Sequence, residues 1–98
     1  MSTLTLEYEP NITNLHIYNN ILSIELDDER TISIPLSWYP RLQHATLDEL
    51  KDWKIIGHGY GIAWETIDEH ISITGILAGR KSGESPASFQ KWLAVRKQ

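Results

Sequence analysis

The sequence contains no cysteine, one phenylalanine and one methionine. Without a thiol, disulfide staples, thiolate metal ligands and cysteine nucleophiles are excluded, so a chain of 98 residues has to stand on packing alone. No apolar run approaches the roughly 20 residues that a membrane-spanning helix needs. The opening Met1-Ser2-Thr3-Leu4-Thr5-Leu6-Glu7 lacks the basic stretch and long apolar segment of a signal peptide. A soluble cytoplasmic protein is the expectation.

Basic residues are also scarce over most of the chain. Residues 1–79 carry four Lys and Arg against twelve Asp and Glu, a net of −8, while residues 80–98 carry five against one, a net of +4. An acidic body disfavours nucleic acid as a partner, because phosphate neutralisation needs clustered Lys and Arg. The basic tail of Arg80, Lys81, Lys91, Arg96 and Lys97 argues weakly the other way, since a helix with a charged outer face is usually just solvated.

What is present is ordinary globular material: 41 % hydrophobic and 22 % charged residues, enough for one core. Four tryptophans and four tyrosines give rings with polar tips that need partners when buried. Five of the six glycines fall between Trp53 and Gly79, which marks geometry the fold insists on. They mark no chemistry, because no phosphate loop, nucleophile elbow or dense metal-ligand motif accompanies them.

Along the chain, Leu4, Leu6 and Tyr8 suggest an edge strand or ordered arm before Pro10. Leu15 and Ile17, then Ile21 to Leu26, flank Tyr18-Asn19-Asn20, and paired asparagines tolerate the left-handed turn of a tight hairpin. Ile32, Ile34 and Leu36 alternate with polar or small residues, which adds a third strand ending at Pro35 or lying at an edge. Ser37 to Leu42 reads as a short helical turn. Thr46 with Glu49 has capping-box spacing and starts a short helix bearing Leu47 and Leu50. Trp53 to Ile56 and Gly61 to Trp64 read as a further hairpin, and Asp68-Glu69-His70 as a solvated turn. After it, Ile71 and Ile73 suit a strand, while Ile73, Ile76 and Leu77 suit one helical turn; a short helix is favoured, capped by Ser72 or Asp68 and stopped by Gly79. Residues 80–85 form a linker, and Ser85-Pro86 opens a terminal helix on which Phe89, Trp92 and Leu93 make an apolar stripe. The fold class is α+β: a small antiparallel sheet, built from a three-stranded meander and a further hairpin, against two or three short helices. Residues 1–79 form one domain, with residues 80–98 a linker and amphipathic helix that packs on the same domain or on a partner.

Candidate chemistry is thin. His58 sits between glycines beside Tyr60 and could act as base or ligand, although a turn imidazole capping a local carbonyl is the plainer reading. Asp68, Glu69 and His70 are consecutive, so they do not point at one ion, and no long-range ligands accompany them. Trp38, Trp53, Trp64 and Trp92 at strand and helix spacing are core rather than a ligand groove. Arg41 could clamp a carboxylate or phosphate, or equally pair with Asp48 or Asp52. The candidate polar site is Arg41, His58 and Tyr60. No catalytic residue, metal ligand or cofactor is assigned.

Leu36-Ser37-Trp38-Tyr39-Pro40-Arg41-Leu42, Ala45-Thr46, Trp53, Gly57 to Trp64, Asp68-Glu69, Ile71-Ser72 and Gly75 to Gly79 together resemble a bacterial family, domain-of-unknown-function family 2442. The resemblance runs from about Tyr18 to Gly79, with Tyr39 where the family pattern leads one to expect phenylalanine. It implies a compact α+β fold in which these blocks are structural, and it assigns no catalytic residue. It also implies a partner: members are found beside a second small protein and have been proposed as antitoxins, and others carry an appended helix-turn-helix, for which this sequence has no room.

The leading expectation is therefore a non-enzymatic, antitoxin-like interaction module that masks a small basic protein encoded nearby. Phe89, Trp92, Leu93 and Arg96 are the partner-binding candidates, with a homodimer as the alternative use of the stripe. Two other classes stand beside it: a small metal-dependent or hydrolytic enzyme using His58 and Asp68 to His70, and a nucleic-acid accessory protein using the basic tail.

Overall fold

The computed structural model describes residues 9–96; the expected arm at Leu4, Leu6 and Tyr8, together with Lys97, lies outside the described residues. Two antiparallel sheets of three strands each, with four short helices, make up an α+β fold.

The first sheet is the meander β1 (Ile12–Tyr18), β2 (Ile21–Leu26) and β3 (Thr31–Pro35), in that order. Asn19 and Asn20 join β1 to β2 with φ of 53° and 63°, the two left-handed residues of a type I′ turn, whose twist matches that of the flanking strands. Leu22, Ile24 and Leu26 share one face of β2 and are buried against Ile34 of β3 and Ile12 and Leu15 of β1. Ile12 and Leu15 are three residues apart, which a period of two cannot place on one face. The register shifts between Ile12 and Asn14, and that irregularity turns both inward. Pro35 ends β3 at the sheet edge, opposite Ile21, where its missing N–H does no harm.

The chain then leaves the sheet through a short helical turn (Leu36–Trp38) into α1 (Pro40–Gln43) and α2 (Leu47–Lys51). Leu36, Tyr39 and Leu42 are buried. The capping box is complete: Thr46 Oγ1 accepts from Glu49 N–H at 3.1 Å, and Glu49 Oε1 accepts from Thr46 N–H at 2.8 Å.

The second sheet contains β4 (Lys54–Ile56), β5 (Gly61–Trp64) and β6 (Glu69–Ser72), and here the sequence reading is corrected. The expected hairpin is a three-stranded meander, and the expected solvated turn at Asp68 to His70 supplies the first half of its last strand, Glu69 and His70. Ile67, only 1 % exposed, anchors the bend after β5, Asp68 reverses the chain at φ 54°, and Glu69 and Ile71 then pair with Trp64 and Ile62. Ser72 ends β6 and caps α3 (Ile73–Leu77), its Oγ accepting from Gly75 N–H at 3.1 Å.

The sheets share one core. Trp64 is fully buried and donates its indole N–H to the Leu50 carbonyl at 3.1 Å, which ties β5 to α2. Gly59 brings the sheets together: at φ 103°, a Cβ there would lie 2.6 Å from Asn11 Cβ and 3.1 Å from the Ile12 carbonyl oxygen. No larger residue fits that approach without a shift of backbone.

Residues 80–85 are strapped to the body. Arg80 N–H donates to the Gly75 carbonyl at 2.9 Å and Ser82 N–H to that of Trp38 at 3.0 Å, while the Lys81 ammonium lies 5.5 Å from the Trp38 ring centroid. The terminal helix α4 (Pro86–Arg96) turns its stripe toward its own chain. Phe89 meets the edge of His44 at 5.1 Å, Trp92 packs on the core, and Arg96 reaches both carboxylate oxygens of Glu49 at 2.8 Å.

Candidate functional site

A cleft of about 430 Å³ opens between β6 and residues 80–84, with Tyr39, Arg41, Gly75 and Ser88 also in its lining. Arg41 organises it. Held at 15 % exposure, its guanidinium donates from Nε and Nη2 to Glu84 at 3.0 and 2.6 Å, and from Nη1 to the carbonyls of Ile67 at 2.9 Å and Asp68 at 3.3 Å. Its far face lies 5.3 Å from the Trp92 ring. One side chain thus joins α1, the start of β6, the strap and α4. The partner is Glu84, 43 residues away in sequence, and not the Asp48 or Asp52 that local spacing suggests.

The charges in the cleft shift one another in opposite senses. The bonds from Arg41 and Ser88 hold the Glu84 carboxyl below its ordinary range. Glu69 goes the other way: burial pushes its carboxyl up to about 7, the charges of Glu84 and Asp68 add to the rise, and Arg41 opposes it. Among the described residues the Glu69 carboxyl has no hydrogen-bond donor. Burial, followed by the Glu69 charge, raises the Tyr39 phenol as well.

A carboxyl that titrates near neutrality can hold or release a proton, but the hydroxyls beside it are committed. Ser72 Oγ caps α3, and Ser88 Oγ donates to Glu84 at 2.8 Å. Of the sequence candidates, Arg41, Asp68, Glu69 and His70 come together at this cleft, whereas His58 and Tyr60 do not line it. His58 is exposed in a left-handed conformation at φ 56°, and Tyr60 bonds through its hydroxyl to Thr74 at 3.2 Å. Among the described residues no group of three or more His, Asp or Glu could hold a metal ion.

The sequence did carry a signal for Glu69. It stands two residues before Ile71 and four before Ile73, in phase with buried positions, which is where an outward-facing carboxylate does not belong.

A second hollow, about 400 Å³ and more apolar, lies between β1 and α2. Ile17, Leu50 and Trp53 line it, and Tyr18 and Leu47 stand at its rim, 77 % and 74 % exposed. The stripe residues Phe89, Trp92, Leu93 and Arg96 are half-buried, and Val95 is the large apolar side chain that α4 leaves outward, at 71 % exposure. No helix among the described residues is long and apolar enough to cross a membrane.

Among solved structures, the chain is similar to a protein of unknown function from Rhodospirillum rubrum, at 28 % identity and a TM-score of 0.69, over 79 % of this chain and 95 % of that one. An uncharacterised protein from Chromobacterium violaceum shares the fold at 23 % identity and a TM-score of 0.64, over 88 % and 75 % of the two chains. No curated protein matches. Residues 12–82, from β1 through the strap, match the family described as protein of unknown function (DUF2442), and the chain belongs to that family.

Proposed function

We propose that the chain is a non-enzymatic protein-interaction module, antitoxin-like in that it covers a small basic partner encoded nearby, and that it works in the cytoplasm. The observation that carries this reading is the hollow between β1 and α2. Tyr18 and Leu47 together hold large apolar surface in water at one rim, and such surface on a small domain marks a place where another macromolecule sits. Beside it, the exposed Asp48 and Asp52 belong to a body with a net charge of −8 over residues 1–79. Lys51 and His16 are the ionisable residues of the lining itself, so the acidic residues act from its surround. A negative surround steers a basic partner toward the hollow and discriminates against acidic competitors.

Use of Phe89, Trp92, Leu93 and Arg96 by a partner would first have to undo their contacts with His44 and Glu49. The hollow offers apolar contact without that loss. Small partners of this kind engage a few rigid aromatic and aliphatic anchors, and Tyr18, Leu47 and Trp53 fit that role.

The test is co-purification of the tagged chain expressed with its neighbouring genes. A stoichiometric small basic protein is expected, retained by the wild type, lost from Leu47→Asp and Tyr18→Ser, and harmful to growth when expressed without the chain. Recovery of the chain alone would overturn the reading.

A further inference from the structure

We propose that the cleft beside β6 is a strand-addition site, which takes a short extended peptide carrying acidic side chains along the free edge of β6. The hydrogen-bond phase of the second sheet points there. Ile73 N–H donates to the Tyr60 carbonyl at 2.8 Å, and the register runs on through Ile62 opposite Ile71 and Trp64 opposite Glu69. In an antiparallel ladder, pairs that exchange hydrogen bonds alternate with pairs whose main-chain groups point away from each other. Glu69 and Ile71 therefore turn their N–H and C=O groups toward β5, and Asp68, His70 and Ser72 turn theirs into the cleft.

Three of these outward groups are taken, the first being the Asp68 N–H, which donates to the Glu65 carbonyl at 3.2 Å. The Asp68 carbonyl accepts from Arg41, and the Ser72 carbonyl opens the first turn of α3. Among the described residues, His70 N–H, His70 C=O and Ser72 N–H have no partner. They form a row of donor, acceptor and donor, the pattern that an added strand reads.

Most sheet edges face open water. This one faces a wall, because the bonds from Arg80 N–H to Gly75, from Ser82 N–H to Trp38 and from Arg41 to Glu84 fix residues 80–84 across from it. The free edge of β3, by contrast, ends in Pro35. Three residues of β6 edge extend about 10 Å at a strand's rise per residue. A cleft of about 430 Å³ beside them suits a few residues of peptide rather than a folded domain.

Charge selects the occupant. Arg80 and Lys81 line the wall and have no carboxylate partner among the described residues, while Asp68 and Glu84 are both drawn to Arg41, at 4.0 and 2.6 Å. Glu69, also in the lining, keeps its proton up to about 7, so at pH 6 the uncompensated charges are the cations of the wall, and an acidic strand is the complement. The β1 and α2 hollow is lined by different residues, so this proposal stands or falls separately from the function proposed above.

The probe is the capped peptide Ac-Thr-Glu-Thr-Glu-Thr-NH2, titrated to about 5 mM into the full chain at pH 6 and low salt, with amide shifts and hydrogen exchange as readouts. Shifts are expected to centre on the His70 and Ser72 amides, with exchange there slowed about tenfold or more. The lysine counterpart should bind about tenfold more weakly, and Arg80→Glu with Lys81→Glu should reverse that preference. A peptide N-methylated on alternate residues should lose the effect. No perturbation at His70 and Ser72, equal binding of the N-methylated peptide, or the same shifts from free glutamate at the same concentration would each overturn strand addition; the last would leave an anion site in its place.

Discussion

The two meanders share strand order and antiparallel pairing, yet different forces shape them. In the first, Asn19-Asn20 and the Asp27 to Arg30 bend are polar turns at the chain surface, and β2 and β3 alternate more and less buried residues. In the second, a bend rests on the buried Ile67, Gly59 closes on Asn11 and Ile12, and Trp64 reaches α2. The first meander is specified by neighbours in sequence, and the second by neighbours in space. The surfaces beside them differ accordingly: an apolar hollow flanks β1, and a cleft framed by long-range ion pairs flanks β6.

The largest test of that contrast is Arg41→Ala. It strands Glu84 at 10 % exposure without its cation, frees the carbonyls of Ile67 and Asp68, and removes a cation from the face of Trp92. Breaking a partly buried pair on one side costs about 3 kcal/mol. Urea denaturation should show that loss, and native-state hydrogen exchange should speed up in β6 and residues 80–88 before it does in β2. Arg41→Lys should recover only part, since an ammonium cannot hold Glu84 and two carbonyls at once. Equal acceleration in β2 and β6 would mean that the meanders do not differ in this way.

Gly59→Ala comes next, at about 2 kcal/mol, from strain at positive φ together with the contact on Asn11 and Ile12. The same change at Gly83, where a Cβ meets nothing within 4 Å, should cost far less. Thermal denaturation of the two variants compares them directly. Similar stabilities would remove Gly59 as the point of closure between the sheets.

The same division governs what could be read from the residues. The Asn19-Asn20 hairpin, the Thr46 and Glu49 capping box, and the Ser72 cap are local chemistry, and each stands where its spacing puts it. β6 was legible only in the alternation of Glu69, Ile71 and Ile73, because Asp68-Glu69-His70 is as polar as a turn and Glu69 and His70 become strand by pairing with β5. Glu84 was not legible as the partner of Arg41, because nothing local to either residue points to the other. Most of the fold was therefore open to inspection, and most of the cleft was not: its groups come from three stretches brought together by packing.

Glu69→Gln gives the smallest effect and the sharpest sign. In the folded chain the Glu69 carboxyl keeps its proton up to about 7, whereas its unperturbed value is 4.5, so between those limits the folded state binds more protons than the unfolded one. Stability from this residue is therefore lost as pH rises through that window and stays lost above it. Glutamine has no proton to lose. The variant should match the wild type near pH 4 and exceed it above pH 7 by about 1 kcal/mol, a modest gain because the open side of the cleft lets water screen the charge. Glu49, held down to about 2 by Arg96, adds a loss at the acidic end, but that loss is common to both proteins and cancels in their difference. A difference independent of pH would mean that Arg41 offsets the effect of burial on the Glu69 charge, and a variant weaker than wild type at pH 8 that it more than offsets it. The cleft would then be an ion-pair network throughout, and the contrast with the apolar hollow would sharpen rather than disappear.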